Sequence, residues 1–438
     1  MEEIDITVKV EEISPVKKKI SIDVPWSDVQ KERDKVYRNI GKTAKIKGFR
    51  QGKVPRKILQ LHYEKYADDE VISNLINKYY VSSLERNNIK AINQPQIDQN
   101  GIEEGKSFSF SATFEVEPQI DPVGYTGMTL EKEDLVVTEK EVEDRLEEIR
   151  KMFGTLEEVV EDRAIREGDF VTIDFEGVVE GEKLEDMKRN DYFLEIGSKT
   201  MIPGFEDQIV GEKIGHTKEF TIKFPDEYQI KAVAGKDATF TVKIKTLKEK
   251  ILPQLDENFV KNFERYESLD ALKADIRKSI VDEKQRKIDT ALSTQIIDEL
   301  IKENDFEVPS YFVEQQIFFM ITEAQKRLMS TGMDPQMISQ VSETWHDRYK
   351  DEAIRIVKSS ILLKNIAHKE NIDVTAEELE ERLKEIAQQY SQDYEKVSGS
   401  FDEDMKENIK SDLLNKKVFE FIQSKATIKI IEKEANAV

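Results

Sequence analysis

A basic segment near the N-terminus carries the side chains best suited to binding a charged partner. Residues 35–63 contain nine lysines and arginines and no acidic residue, in a chain whose formal net charge is -22. Within this segment the run GFRQGKVPRKIL begins at Gly48. Arg50 and Lys53 can pair with carboxylates or phosphates, and Phe49 places an apolar side chain between the cations. We interpret the segment as a docking site; a solvated charged loop is the alternative.

The charge of the whole chain and the lack of cysteine limit the other kinds of chemistry. A net charge of -22 excludes a generic attraction to nucleic acid for the molecule as a whole. Without cysteine, disulfides, thiol nucleophiles and thiolate metal ligands are excluded. The four histidines lack HExxH spacing, and neither GxxxxGK[ST] nor GxGxxG occurs. We therefore expect no metal site, no cofactor and no bound nucleotide.

The basic segment spans a loop between two predicted helices of an α+β domain. Alternating apolar residues predict two opening strands, over residues 4–10 and 20–24. A helix is predicted over residues 26–41, and a second one begins near Pro55 because proline suits the first helical turn. Alternation over residues 107–116 predicts a strand that returns to the opening hairpin.

The rest of the chain changes from β-type to helical periodicity. Thr138 and Glu141 form a capping box that begins a linking helix. Short β-type runs separated by glycine and proline fill residues 169–247 and predict a compact β-rich domain. After Pro253 the apolar spacing is helical, with a second capping box at Thr375 and a strand-like TIKII near the end.

The sequence indicates neither export nor membrane insertion. Its start, MEEIDITVKVEEI, is acidic and alternating, whereas a signal peptide is basic and then continuously apolar. No run of about 18 or more apolar residues occurs. We expect a cytoplasmic protein without a membrane partner.

The sharpest motif of the middle region is IGSKTMIPGFEDQIVG, residues 196–211. VTIDFEGVV precedes it, and FPDEY and ATFTVKI follow. In this order the segments resemble the FK506-binding-protein (FKBP) class of peptidyl-prolyl isomerases over about 80 residues. The resemblance implies an FKBP-like β-rich domain with a short helix. It implies a proline pocket lined by Phe175, Met201, Ile202, Phe205, Tyr228 and Phe240.

Rotation about an X-Pro peptide bond needs no nucleophile, although its barrier is about 18–20 kcal/mol. Twisting the amide breaks its resonance and lowers its polarity, so an apolar, aromatic-walled pocket favours the twisted state. Where this class has a pocket phenylalanine followed by aspartate, the chain has Leu184 and Glu185. The smaller wall and the longer carboxylate predict a lower turnover or a changed preference for the residue before proline. The alternative is that the aromatic residues form only the core of a small β-domain.

The basic segment is similar to the GFRxGKxP ribosome-binding signature of trigger factor, a family of bacterial chaperones of nascent chains. The matching residues are Gly48, Phe49, Arg50, Gly52, Lys53 and Pro55. The order of docking, isomerase and helical regions is also that of the family. The resemblance implies ATP-independent action at the tunnel exit of the large ribosomal subunit, through contacts with protein and RNA. It also implies nascent and unfolded polypeptides as partners, and a homodimer off the ribosome.

The same resemblance implies a multidomain α+β fold with four segments. These are an α+β ribosome-docking domain (1–116), a linker with a helix (117–164), an FKBP-type isomerase domain (165–248) and an all-α chaperone domain with long arm helices (249–438).

One helical stretch of the last region is unusually apolar. Residues 311–320, YFVEQQIFFM, place apolar side chains on more than one helix face, which indicates either burial on several sides or an exposed adhesive surface. Met329, Met333 and Met337 suit a promiscuous binding surface or a gap-filling core role equally well. The candidate contacts with unfolded polypeptide are Phe312, Phe318, Phe319 and Met320.

Two other functions stay open from the sequence. The first is a pure binding protein, whose pocket captures proline-containing segments with little catalysis because of Leu184. The second is a free cytoplasmic isomerase whose basic segment binds RNA or nothing.

Overall fold

The computed structural model divides the chain into two compact units, Met1–Glu133 with Asp289–Val438, and Asp134–Ile288. The structure describes residues 6–179, 182–228, 231, 233–389, 394, 399 and 401–431, without the side chains of residues 182–186. The first two residues of the predicted strand over 4–10 lie outside this description, and so do the side chains of Leu184 and Glu185.

The N-terminal part of the first unit is a four-stranded antiparallel sheet packed against two helices. The elements are β1 (Thr7–Ser14), β2 (Lys17–Val24), α1 (Trp26–Thr43), α2 (Arg56–Arg86), β3 (Gln96–Gln99) and β4 (Phe108–Glu115), followed by β5 (Thr129–Glu133). The strand order is β1-β2-β4-β3. Ile20 and Ile22 of β2 share one core with Phe114 of β4 and Tyr79 of α2. The predicted return of the strand over 107–116 to the hairpin is confirmed by the pairing of β4 with β2.

The second unit contains the predicted linking helix and the β-rich region. Its elements are α3 (Glu139–Met152), β6 (Thr155–Glu158), β7 (Phe170–Val179), β8 (Glu182–Glu195), β9 (Thr217–Lys223), β10 (Asp237–Ile251), α4 (Glu257–Val260) and the first part of α5 (Leu269–Glu303). The sheet has the order β6-β10-β7-β8, and β9 also pairs with β10. The capping box is confirmed: the Thr138 hydroxyl accepts from the Glu141 N–H at 3.3 Å, and the Glu141 carboxylate accepts from the Thr138 N–H at 2.8 Å.

Helices make up most of the remaining chain of the first unit. They are α6 (Ser310–Ser330), α7 (Pro335–Ser342), α8 (Trp345–Lys369), α9 (Ala376–Gln389) and α10 (Glu403–Lys425), with β11 (Thr427–Ile431) after them. The strand predicted from TIKII is confirmed as β11, which pairs in parallel with β5. The second capping box is also confirmed, since the Thr375 N–H donates to Glu378 at 2.8 Å and the Glu378 N–H donates to the Thr375 hydroxyl at 3.3 Å.

A buried carboxylate joins the sheet of the first unit to its helices. Glu115, at the end of β4, accepts hydrogen bonds from the Ser310 hydroxyl and from the Tyr311 N–H, the latter at 2.9 Å. The first turn of a helix has unpaired N–H groups and favours a negative charge. Glu115 therefore fixes the start of α6 on the edge of the N-terminal domain.

Candidate functional sites

Five phenylalanines form an aromatic cluster inside the second unit, and three of them belong to the predicted proline pocket. The cluster consists of Phe175, Phe205, Phe220, Phe224 and Phe240, all of them buried. The ring of Phe205 lies edge-on to Phe175 and Phe240, with centroid separations of 5.8 and 5.2 Å. Phe175 and Phe240 come from the neighbouring strands β7 and β10. The sheet thus places the rings, and the segment after β8 adds Phe205 between them.

The other predicted pocket residues lie at the edge of the aromatic cluster. Tyr228 is half-buried, and its ring lies 4.8 Å from that of Phe224. Met201 and Ile202 are half-buried on the segment before Phe205 and pack on the same core. The structure therefore brings all six pocket residues together, with Phe205 completely buried and Met201, Ile202 and Tyr228 partly open to solvent.

Sequence reasoning missed three aromatic residues of this region. Tyr192 lies edge-on to Phe175 at 5.6 Å, and Phe220 and Phe224 complete the aromatic cluster. Phe220 and Phe224 stand at alternate positions with Ile222 in KEFTIKF, a spacing that places all three on one side of the strand. That alternation was the available signal for two of the three.

A buried carboxylate organises the segment that carries Met201. Glu206 accepts hydrogen bonds from the N–H groups of Gly197, Lys199 and Met201 at 2.8, 3.1 and 3.2 Å, and from the Ser198 hydroxyl at 3.3 Å. Burial raises the pKa of Glu206, but the three backbone hydrogen bonds outweigh burial and hold that pKa below its usual value. The side chain is therefore ionised at neutral pH.

The basic segment forms a loop between α1 and α2, hereafter the docking loop (residues 44–55). Ala44 is buried at its start, while Ile46 and Val54 pack against the N-terminal core. Gly48 and Gly52 have φ values of +96° and +79°, which other residues adopt only with strain. The loop is thus anchored at both ends and turns sharply at two glycines.

The tip of the docking loop is exposed. Phe49 is 41% exposed, although large apolar side chains are commonly buried. Arg50, Lys53, Lys45 and Lys47 are exposed, and within the described residues none of them pairs with a carboxylate. An apolar side chain is thus surrounded by cations that have no partner in this part of the chain.

The apolar stretch on α6 is divided between a buried and an exposed face. Val313 and Ile317 are buried against α8. Phe318 and Phe319 are 73% and 59% exposed, whereas Phe312 and Met320 are half-buried. These four predicted contacts, Phe312, Phe318, Phe319 and Met320, form the candidate client-binding surface.

A groove adjoins the client-binding surface. It has a volume of about 420 Å³ and lies between α6 and α8, with Phe312 and Phe319 on one side and Ile356 and Ile361 on the other. Met329 and Met337, farther along α6 and α7, are exposed and not part of a core. The client-binding surface, the groove and these methionines together therefore offer several separate apolar contacts along α6 and α7.

Within the described residues, no helix combines the length and the apolar character that a membrane span requires. The same residues contain no group of three His, Cys, Asp or Glu side chains that could hold a metal ion.

The chain matches three protein-family models. Residues 6–149 match the bacterial trigger factor protein (TF), residues 268–424 match the trigger factor C-terminus, and residues 161–245 match the FKBP-type peptidyl-prolyl cis-trans isomerase. The trigger factor of Syntrophus aciditrophicus (strain SB) is 66% identical over 435 residues, which is 99% of this chain and 98% of that protein. The trigger factor of Geotalea daltonii is 38% identical over 429 residues, covering 98% of this chain and 99% of its own.

The fold is similar to a solved structure from work on promiscuous substrate recognition in folding and assembly activities of the trigger factor chaperone. The TM-score is 0.51 at 22% sequence identity, covering 95% of this chain and 99% of that chain.

Proposed function

The chain belongs to the trigger factor family, and from that premise we propose that it works in the cytoplasm at the exit of the ribosomal tunnel. It carries an FKBP-type peptidyl-prolyl isomerase domain and is a chaperone of that family. In the proposal it binds nascent and unfolded polypeptides without ATP and isomerises their X-Pro bonds. The observation that carries the ribosome part is the exposed, cationic tip of the docking loop.

Docking is assigned to Phe49, Arg50 and Lys53, on the turns made by Gly48 and Gly52, with Pro55 at the start of α2. The guanidinium and ammonium groups suit the phosphates of ribosomal RNA and the carboxylates of a ribosomal protein. Phe49 suits an apolar depression between such charges. Since core contacts anchor both ends of the loop, its backbone loses less conformational entropy on binding than that of an unanchored segment.

Catalysis is assigned to the aromatic side chains Phe175, Phe205, Tyr228 and Phe240, with Met201 and Ile202 contacting the substrate. These side chains exclude water from the peptide carbonyl, and the twisted amide, being less polar than the planar one, loses less solvation there. No proton or electron pair is transferred to the protein. Leu184 is proposed as a further substrate contact and Glu185 as a further catalytic residue at the same pocket.

Client binding is assigned to Phe312, Phe318, Phe319 and Met320. Weak apolar contacts along α6 and its groove select no particular sequence, which suits many different unfolded chains. Release without ATP requires that each contact be weak. We retain the boundaries 1–116, 117–164, 165–248 and 249–438 as proposed domains, and self-association off the ribosome as a proposed state.

Co-sedimentation with purified 70S ribosomes tests the docking proposal. The intact protein should pellet with ribosomes, and a variant with Phe49, Arg50 and Lys53 all replaced by alanine should stay in solution. The matched control changes one exposed apolar residue and two exposed lysines outside the basic segment of the same domain, Val81→Ala, Lys65→Ala and Lys90→Ala, and should pellet normally. If the intact protein does not pellet at moderate salt, the ribosome proposal fails and an isomerase with an unexplained helical region remains.

A further inference from the structure

We propose that Glu206 is a positioning residue for the isomerase, whose carboxylate fixes the turn that presents Met201 and Ile202 to the proline pocket. The inference rests on the pocket assigned above. Glu206 is itself 7% exposed and directly follows Phe205 in the chain. Its carboxylate is therefore engaged by the protein itself, and the proposed role does not require it to touch the substrate.

The turn requires an acceptor of the kind that Glu206 supplies. Gly197 and Lys199 have φ values of +93° and +57°, and the latter is unfavourable for a residue with a side chain. In this conformation the N–H groups of Gly197, Lys199 and Met201 converge on one carboxylate, with donor–acceptor distances of 2.8 to 3.2 Å. An N–H group left without a partner away from water is costly, so the carboxylate stabilises a turn that would otherwise relax.

Phe205 and Glu206 together hold the two half-buried residues of the pocket wall, Met201 and Ile202. Glu206 holds Met201 through its N–H group, while the N–H of the adjacent Phe205 donates to the carbonyl of Ile202 at 3.0 Å. Phe205 is in turn packed against Phe175 and Phe240. A displacement of the turn therefore moves Met201 and Ile202 relative to a fixed aromatic floor, and errors of about 1 Å in such positions can lower rates by about a hundredfold.

Three variants separate positioning from folding. Glu206→Gln keeps the shape of the side chain but places an NH₂ group, which is a donor, against backbone N–H groups that need an acceptor. Glu206→Asp keeps the charge on a side chain that is one methylene shorter. Asp207→Asn removes a charge at the adjacent, exposed position and is the matched control. The assay is isomerisation of proline tetrapeptides that differ in the residue before proline, with kcat and KM determined separately and thermal unfolding recorded for each variant.

We expect Glu206→Gln to lower kcat/KM by about tenfold or more while it remains folded at the assay temperature, with Glu206→Asp in between and Asp207→Asn unchanged. The ratio of kcat/KM between the tetrapeptides should also change, because the displaced residues, Met201 and Ile202, are the ones assigned to substrate contact. If the role of Glu206 were purely structural, the substitution would lower kcat/KM equally for all peptides, in proportion to the unfolded fraction. A folded Glu206→Gln protein with wild-type kinetics overturns the inference.

Two further results keep the test decisive. If Glu206→Gln does not fold, Glu206→Asp decides alone: a folded Asp variant with wild-type kinetics and peptide preference overturns the inference, and a changed preference supports it. Phe205→Ala distinguishes the inference from the pocket assignment. If that variant is folded and fully active, the pocket itself is misplaced; if it is inactive while Glu206→Gln is normal, only the positioning role fails.

Discussion

Replacing Phe205 with alanine removes the ring at the centre of the aromatic cluster. The Phe205 side chain is completely buried, and its ring centroid lies 5.8, 5.3 and 5.2 Å from those of Phe175, Phe220 and Phe240. These three rings stand on β7, β9 and β10, whose hydrogen-bonded ladders hold their spacing. The space left by the missing ring can therefore collapse only in part.

The magnitude follows from this environment. Truncation of a buried phenylalanine typically costs about 3–5 kcal/mol of unfolding free energy when the cavity stays open. Since a domain is stable by about 5–15 kcal/mol, the variant should remain folded at low temperature with a lower unfolding midpoint. Its kcat/KM should fall by at least about tenfold. One methylene in a hydrophobic pocket contributes roughly 1–3 kcal/mol to transition-state binding, and the loss of a whole pocket wall should cost more.

The assay is protease-coupled isomerisation of a proline tetrapeptide at about 10 °C, where the uncatalysed reaction takes minutes. Denaturant unfolding of the same samples gives the folded fraction. Phe193→Ala is the control, since Phe193 is 49% exposed and its ring stacks on the buried Phe170, outside the aromatic cluster, with centroids 5.5 Å apart. This control should lose less than about 1 kcal/mol and keep its turnover.

The result that would refute the reasoning is a folded Phe205→Ala protein with wild-type kcat/KM. The aromatic cluster would then be only the core of a small β-domain, and catalysis would have to be sought elsewhere in the second unit.

Three other variants test separate parts of the molecule. Asp169→Asn breaks a pair in which Arg163 donates to Asp169 at 2.6 and 2.9 Å. Burial raises the pKa of Asp169, but the hydrogen bonds from Arg163 and from the Arg166 N–H, together with the charges of both arginines, hold that pKa below its usual value. The ion pair therefore stabilises the fold fully above about pH 3.9, the pKa of an unfolded aspartate. At pH 7 the variant should lose about 3 kcal/mol of unfolding free energy, measured by denaturant unfolding. The difference in unfolding free energy between variant and wild type should shrink as the pH falls through the lower pKa of the folded state. Replacing Phe318 and Phe319 with serine should weaken the suppression of aggregation of an unfolded client, while the free energy of unfolding changes by no more than about 0.5 kcal/mol. The control Leu61→Ser should leave both the suppression of aggregation and the stability unchanged. At low salt, where the residual ribosome binding of the triple-alanine variant of the docking loop can be measured, the slope of its binding against salt should be smaller by about 2 than that of the intact protein. An unchanged slope would contradict phosphate contact.

Two of the strands that the sequence predicted, β2 and β4, each have one buried face. Ile20 and Ile22 alternate with polar residues because one face of β2 packs on helices, and the same holds for β4. β3, β5 and β6 were not predicted, since each is only four or five residues long and mostly exposed. β5 is a strand because it pairs with β11, nearly 300 residues later in the chain. A local sequence pattern cannot predict a pairing over such a separation.

The motif of the candidate pocket could be predicted from the sequence, but the buried carboxylate that supports it could not. MIPGFE identified Met201, Ile202 and Phe205 because their order was distinctive. Glu206 in the same run is indistinguishable from a solvated acid by sequence, since charged side chains are mostly exposed. Its burial depends on three N–H groups that converge only once the turn at Gly197 has formed.

Phenylalanine serves three sites in this chain, and its surroundings decide how each can be tested. Phe205 is both pocket wall and core, so no substitution changes catalysis there without also changing stability. Phe318 contributes little to folding because Val313 and Ile317 supply the packing of α6. Phe49 stands on a loop whose ends are anchored by other residues. Loss of function without loss of stability is therefore expected at the docking loop and the client-binding surface, and the isomerase requires stability to be measured beside turnover.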